Sequence, residues 1–161
     1  NLLGQIDIIT GTFGKALGGA SGGFTACRKE IAEILRQKSR PYLFSNTLAP
    51  AVTYAEIQVL KKLKSDKSEI IKLNENTKYF RDCISKKNTS INTEIHPIVP
   101  FMIYDDSKTV MLSEKLFEKG IYVVGFTYPV VPAGKARIRI QISSLHTKKD
   151  MDYFIETFSQ I

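Results

Sequence analysis

Six of the chain's ten glycines fall within thirteen residues, Gly11 to Gly23, with Lys15 among them. No regular helix or strand tolerates that density. It demands tight turns or a close approach of backbone to another group. The run Ile6-Asp7-Ile8-Ile9-Thr10 just before it is β-branched and reads as a buried strand. Phe24-Thr25-Ala26-Cys27 just after it reads as a second one. The chain is therefore most constrained where a lysine sits in a glycine-rich turn between two strands.

Such a lysine admits three readings. A phosphate-binding P-loop needs Gly-x-x-x-x-Gly-Lys-Ser/Thr. Around Gly14-Lys15 that pattern asks for glycine at Ile9 and a hydroxyl at Ala16, and both fail. A dinucleotide fingerprint fails too, because Gly-x-Gly-x-x-Gly is absent. The second reading is an exposed lysine on a flexible turn, the common fate of this residue. The third is a Schiff-base lysine: an amine on a tight, partly desolvated turn loses its proton more readily and becomes nucleophilic toward an aldehyde. Thr10 and Thr12 offer hydroxyls suited to a phosphate. Spacing alone favours the exposed lysine and leaves the third reading open.

Further along, Arg28 to Arg40 carries Ile31, Ile34 and Leu35 at helical spacing, and Arg40-Pro41 ends that helix. Tyr42 to Thr47 is a connecting loop. Ala49-Pro50 opens the next helix with proline in its first turn, and Ala51, Ala55, Val59 and Leu63 share one face of it. Another helix is expected from about Ser68 to Lys86, then a polar turn to Ser90. The last third reads as an α+β unit. It holds a strand over Ile98–Ile103 and a helix over Ser107–Lys119, closed by a left-handed Gly120. A strand over Ile121–Val124 and an alternating strand over Arg137–Ile142 follow. Thr147-Lys148-Lys149-Asp150 caps a final amphipathic helix.

Charge and composition remove whole classes. The net charge is +7, and between Lys61 and Lys87 nine basic residues face four acidic ones. Only Tyr79 and Phe80 are aromatic there, so the stretch reads as a solvated helical face and no nucleic-acid partner is expected. A non-catalytic basic binding module is the reading of another class that this patch would serve. Cys27 and Cys83 lie far apart, which excludes a disulfide scaffold and a structural zinc site, and both read as buried apolar side chains. His96 ends a loop before a proline, and His96 and His146 form no metal set, so no metal is expected. Apolar runs stop well short of the roughly 18 residues of a membrane span, so no membrane partner is expected either. The chain opens Asn-Leu-Leu-Gly, without an initiator Met or a signal-peptide core, as if entered in mid-domain. The expectation is a piece of a longer protein, of the cytoplasm or, in a eukaryote, the mitochondrial matrix.

The string from Asp7 to Gly19 resembles the pyridoxal-phosphate lysine segment of the α-oxoamine synthase family, enzymes of fold-type I. The likeness continues through Arg40-Pro41-Tyr42-Leu43-Phe44-Ser45-Asn46-Thr47-Leu48-Ala49-Pro50-Ala51. It resumes at Gly120-Ile121-Tyr122-Val123, Tyr128-Pro129-Val130-Val131-Pro132 and Ala136-Arg137-Ile138-Arg139, and closes near Ser143-Ser144-Leu145-His146-Thr147. The Phe-Ser-Asn and Leu-Ala-Pro block points, within the family, to the glycine C-acetyltransferase branch. Its sisters make 8-amino-7-oxononanoate or 5-aminolevulinate.

The resemblance implies an α/β fold cut from the C-terminal part of such an enzyme. Residues 1–48 would end the large cofactor domain, 49–65 would form an interdomain helix, and 66–161 a small α+β domain. It implies condensation of glycine with acetyl-CoA to 2-amino-3-oxobutanoate and CoA, with pyridoxal 5'-phosphate as cofactor. Lys15 would hold the cofactor and act as general base. Thr12 would bind its phosphate, with Phe13 and Gly14 shaping the turn. Ser45 and Asn46 would reach the cofactor phosphate of a second subunit, which implies a homodimer with shared sites. Arg139 would clamp the substrate carboxylate, while Arg137, on the same face, is the residue more given to solvent. The family's aspartate for the pyridine nitrogen and its ring-stacking histidine have no counterpart here, so these residues alone are expected to be inactive.

Overall fold

The β-branched run before Gly11 and the segment after Gly22 pair as an antiparallel hairpin. The computed structural model describes residues 2, 4–86 and 96–161. It divides into two compact units, Asn1–Asp66 and Lys67–Ile161. In the first, β1 (Ile8–Thr12) and β2 (Gly23–Cys27) pair from Ile8 opposite Cys27 to Thr12 opposite Gly23. The strand starts two residues later than the sequence suggested. It runs on through Thr12 because the turn closes only at Phe13, whose N–H donates to the Gly22 carbonyl at 3.0 Å. No residue of either strand is fully buried, and Ile8 and Ile9 are 48% and 44% exposed. A buried strand was expected. A two-stranded sheet with α1 beside β2 and no further layer among the described residues has little to bury its faces against.

Three helices complete this unit: α1 (Lys29–Lys38), α2 (Arg40–Leu43) and α3 (Pro50–Ser65). Arg40-Pro41 does not simply end a helix. Ser39 is extended, and Pro41 then sits in the first turn of α2, where its missing N–H costs nothing. The loop begins only at Phe44. In α3 the sheltered face is Val52, Glu56, Val59 and Leu63, while Ala51 and Ala55 are exposed. That corrects the expected face by one position: Val52 has more apolar area to bury than Ala51, and its turning inward carries Glu56 with it.

The second unit has its own core. Its elements are α4 (Ser68–Ser85), β3 (Ile98–Met102), α5 (Asp106–Glu118), β4 (Val124–Phe126), β5 (Arg137–Gln141) and α6 (Lys148–Phe158). The sheet order is β3-β5-β4, antiparallel throughout. One face buries Val99, Phe101, Ile138 and Ile140 with Phe80, Leu116, Met151 and Phe154. The Phe80 and Phe154 rings lie 5.5 Å apart, and Phe101 and Phe158 meet edge-on at 5.0 Å. The fourth strand begins three residues later than expected. Gly120, at φ 76°, and Ile121 are still tied to the end of α5, donating to Phe117 and Leu116 carbonyls at 2.9 Å each. Apart from Lys86, the expected polar turn lies outside the described residues.

Two buried polar side chains of α4 stitch the loops to this core. Asn76 donates to the carbonyls of Ser143 (2.9 Å) and His146 (2.8 Å). Arg81 donates to those of His96 and Ile98. At α6 the capping box is complete. The Thr147 hydroxyl accepts from Asp150 N–H, and the Asp150 carboxylate accepts from Thr147 N–H at 2.8 Å. No described helix is long and apolar enough to cross a membrane.

Candidate functional site

The turn carrying Lys15 is locked by its own backbone. Gly19 N–H donates to the Phe13 carbonyl at 3.0 Å, and Gly18 N–H to that of Lys15 at 2.9 Å. At the foot of the turn, Thr12 Oγ1 accepts from Gly14 N–H at 3.2 Å and donates to the Gly22 carbonyl at 3.3 Å. The Phe13 ring lies 5.5 Å from that of Phe24, which anchors one side. Thr12, Phe13, Gly14 and Lys15 thus share one rigid loop. The Lys15 side chain is exposed. The partial desolvation expected of it is not supplied by this chain, because Gly14, Ala16, Gly18 and Ala20 around it are exposed as well.

Sequence reasoning missed the residue behind this loop. Glu56 of α3 is only 4% exposed, and its Oε1 has no hydrogen-bond partner among the described residues. It lies against Gly19: a Cβ built there would meet Glu56 Oε1 at 2.6 Å and the Phe13 carbonyl at 3.1 Å. A side chain at Gly19 would therefore have to displace the Glu56 carboxylate, which lies against the end of the lysine turn. A glutamate in a helix reads as a solvent residue. Only its four-residue spacing from Val52 hinted otherwise.

Ser45 and Asn46 lie on exposed chain between α2 and α3, beside Phe44, which is 78% exposed. Asp7, the acid nearest the lysine segment in sequence, pairs with Arg28 at 3.5 Å on the surface. Cys27 and Cys83 are half-buried, neither in the core as expected nor open. His96 and His146 serve turns. Their Nδ1 atoms accept from the N–H groups of Ile98 (3.0 Å) and Ser143 (3.2 Å).

Arg139 belongs to the second unit. The alternation of β5 puts Arg137, Arg139 and Gln141 on the face away from the core. Strand register sets Ile98, Pro100 and Met102 beside them on one flank, and Val124 and Phe126 on the other. The open face of an antiparallel sheet is ordinarily polar; here two arginines stand among apolar neighbours. Arg139 is exposed and Arg137 half-buried, the reverse of the expectation. Arg137 lies directly opposite both Met102 and Phe126, with a strand on either side of it. The Arg139 guanidinium carbon lies 4.5 Å from the centroid of the Phe126 ring. Arg139 and Phe126 line a cavity of about 590 Å³ whose other walls include Tyr122, Phe80, Met151 and Phe154.

The donor set suits pyridoxal phosphate in kind. Lys15 offers a primary amine open to an aldehyde carbon. Thr12 offers a hydroxyl whose present hydrogen bonds are long, so it can be turned to a phosphate oxygen.

The aminotransferase class I and II family model matches residues 1–158. The chain is 47% identical over 161 residues to the 2-amino-3-ketobutyrate coenzyme A ligase of Escherichia coli (strain K12), covering 100% of this chain and 40% of that protein. It is 44% identical over 161 residues to the 8-amino-7-oxononanoate synthase of Petrotoga mobilis, covering 100% of this chain and 41% of that one. A solved serine palmitoyltransferase with pyridoxal phosphate superposes with a TM-score of 0.90 at 28% identity, covering 99% of this chain and 40% of that chain. The chain thus spans about 40% of the length of the curated relatives it matches.

Proposed function

The chain belongs to the aminotransferase class I and II family, and from that premise we propose that it is the C-terminal part of a pyridoxal-phosphate-dependent glycine C-acetyltransferase. The complete enzyme would join glycine to the acetyl group of acetyl-CoA. A bond forms between the glycine α-carbon and the acetyl carbonyl carbon, the thioester breaks, and CoA leaves with 2-amino-3-oxobutanoate as the other product. One observation carries the reading: the Lys15 amine stands at the crest of a backbone-locked turn with the Thr12 hydroxyl at its foot.

Lys15 Nζ is the atom that would hold the cofactor and later accept the α-proton of glycine. Pyridoxal phosphate, when bound, supplies the sink for the electron pair that this proton leaves behind. Thr12 Oγ1 would donate to the phosphate, and Phe13 and Gly14 keep the turn in shape. Ser45 and Asn46 would reach the corresponding phosphate of a second subunit, so the active form would be a homodimer with shared sites. Arg139 would bind the glycine carboxylate through two parallel N–H donors, a contact a lysine cannot copy. Residues 1–48 would close the large domain, 49–65 link the two domains, and 66–161 form the small one.

The test is borohydride reduction of the complete, cofactor-loaded enzyme followed by peptide mapping. The cofactor mass is expected on the peptide containing Lys15, and Lys15→Ala is expected to abolish turnover. A label on another lysine, or turnover retained in Lys15→Ala, would refute the assignment. The likeness to 8-amino-7-oxononanoate synthase makes product analysis the second arm. Glycine with acetyl-CoA should give 2-amino-3-oxobutanoate. Preference for a longer acyl-CoA, with release of CO₂ from the amino acid, would move the chain to a sister activity.

A further inference from the structure

We infer that Phe126 is a positioning residue, whose ring holds the Arg139 guanidinium flat and leaves its donor edge turned to an incoming carboxylate. The inference rests on the reading of Arg139 as the residue that binds the carboxylate of the amino-acid substrate.

Register is the first support. β4 and β5 pair with Phe126 opposite Arg137 and Val124 opposite Arg139. Phe126 and Arg139 are therefore diagonal neighbours on one sheet face, a separation that an aromatic ring and a long side chain can bridge. They do bridge it, with the guanidinium carbon 4.5 Å from the ring centroid. The second support is what Arg139 lacks. It is exposed, and among the described residues no carboxylate is paired with it. A long exposed cation with no anchor spreads over many rotamers, and each must be given up when a ligand binds. The ring supplies that anchor beforehand.

The third support is directional. The guanidinium carbon lies over the ring, where the group can present its face to it, and its N–H donors all lie in its own plane. Holding the face thus leaves a pair of parallel donors free at the edge, which is what a carboxylate needs for a two-point contact. A carboxylate partner would have consumed those donors. Phe126 is half-buried in the sheet, so its ring is itself a fixed support. Arg139 and Phe126 are both among the residues that line the cavity.

The experiment uses the complete, cofactor-loaded enzyme and measures dissociation constants by calorimetry, with KM and kcat alongside. Phe126→Leu keeps the apolar bulk and removes the ring face; Phe126→Tyr keeps the face. The leucine variant is expected to weaken glycine binding by about three- to fivefold and to raise the KM for glycine in step, with kcat little changed. Glycinamide, which lacks the carboxylate charge, should bind as before. The tyrosine variant should restore glycine binding. If Phe126→Leu binds glycine as tightly as the parent, or weakens glycine and glycinamide equally, the positioning role is overturned. Arg139→Leu serves as the reference. If it weakens glycine binding while Phe126→Leu does not, only the role of Phe126 falls. If Arg139→Leu leaves glycine binding unchanged, the carboxylate reading of Arg139 falls, and the role of Phe126 with it.

Discussion

Glu56 shows how a single side chain can work against the fold that contains it. Its carboxyl group is buried behind the lysine turn, with Oε1 unpartnered among the described residues. Burying a polar atom without a hydrogen bond is unfavourable, and an apolar group of similar shape removes that penalty. Glu56→Met is therefore expected to stabilise the protein by about 1 kcal/mol, read as a rise in the denaturant midpoint; a fall would mean that the carboxylate has a partner. Tyr79 is the opposite case. Asp152 accepts its hydroxyl at 2.7 Å, and this bond, with a smaller contribution from burial, pushes the Tyr79 phenol well above its ordinary range. At this scale the candidate site was legible through resemblance. Lys15, Thr12 and Arg139 stand in strings that match the family's, whereas spacing alone left Lys15 an exposed lysine and Arg139 a surface charge. Glu56 and Phe126 were not legible, because what matters about each is a neighbour distant in sequence.

Among the elements, α6 gives the sharpest tests. Its capping box was readable from Thr147 and Asp150 alone, since the pattern is local. Thr147→Ala removes the hydroxyl that caps the helix and is expected to cost about 1 kcal/mol, measured by thermal or denaturant unfolding. The same box sets a pH dependence. The Thr147 N–H, and then its hydroxyl, hold the Asp150 carboxyl below its ordinary value of 3.8. The charged form is thus favoured in the folded state. Its stabilisation is complete above pH 3.8 and is lost as pH falls from there through the lower folded value. In Asp150→Asn that acid-side loss should flatten, with stability already reduced at neutral pH. In α4, Asn76 sends its amide to carbonyls about seventy positions away. Asn76→Ala takes the amide donor from the His146 carbonyl and leaves that of Ser143 only the 3.3 Å bond from His146 N–H, and a loss of about 1–3 kcal/mol is expected. The elements that shifted did so for non-local reasons. The start of β4 depends on how long the end of α5 holds Ile121, and the inner face of α3 depends on what lies beneath it.

For the molecule as a whole, the contrast is between a unit with a core and a unit with very little. Every member of the buried hydrophobic cluster lies between Phe80 and Ile155. Backbone amides of β3, β5 and α6 should therefore resist hydrogen exchange far longer than those of β1 and β2, whose strands bury no residue. Equal protection in the two hairpin strands would show that they gain cover this chain does not provide. The α+β character of the last third was legible because alternation in Arg137–Gln141, the left-handed Gly120 and the Thr147 cap all agree with one arrangement. The first unit was less so: its β-branched run promised burial, and burial is a property of whatever packs on a strand.

The hairpin has a practical consequence. Among the described residues each of its two strands has a free edge, and its faces carry exposed Ile8, Ile9 and Phe24. Such an edge is a template on which an identical strand can add, copy after copy. Prepared alone at high concentration, these 161 residues should turn cloudy long before their core melts. A lysine in place of Ile8, an edge charge of the kind natural sheets use against stacking, should keep the solution clear without touching the second unit.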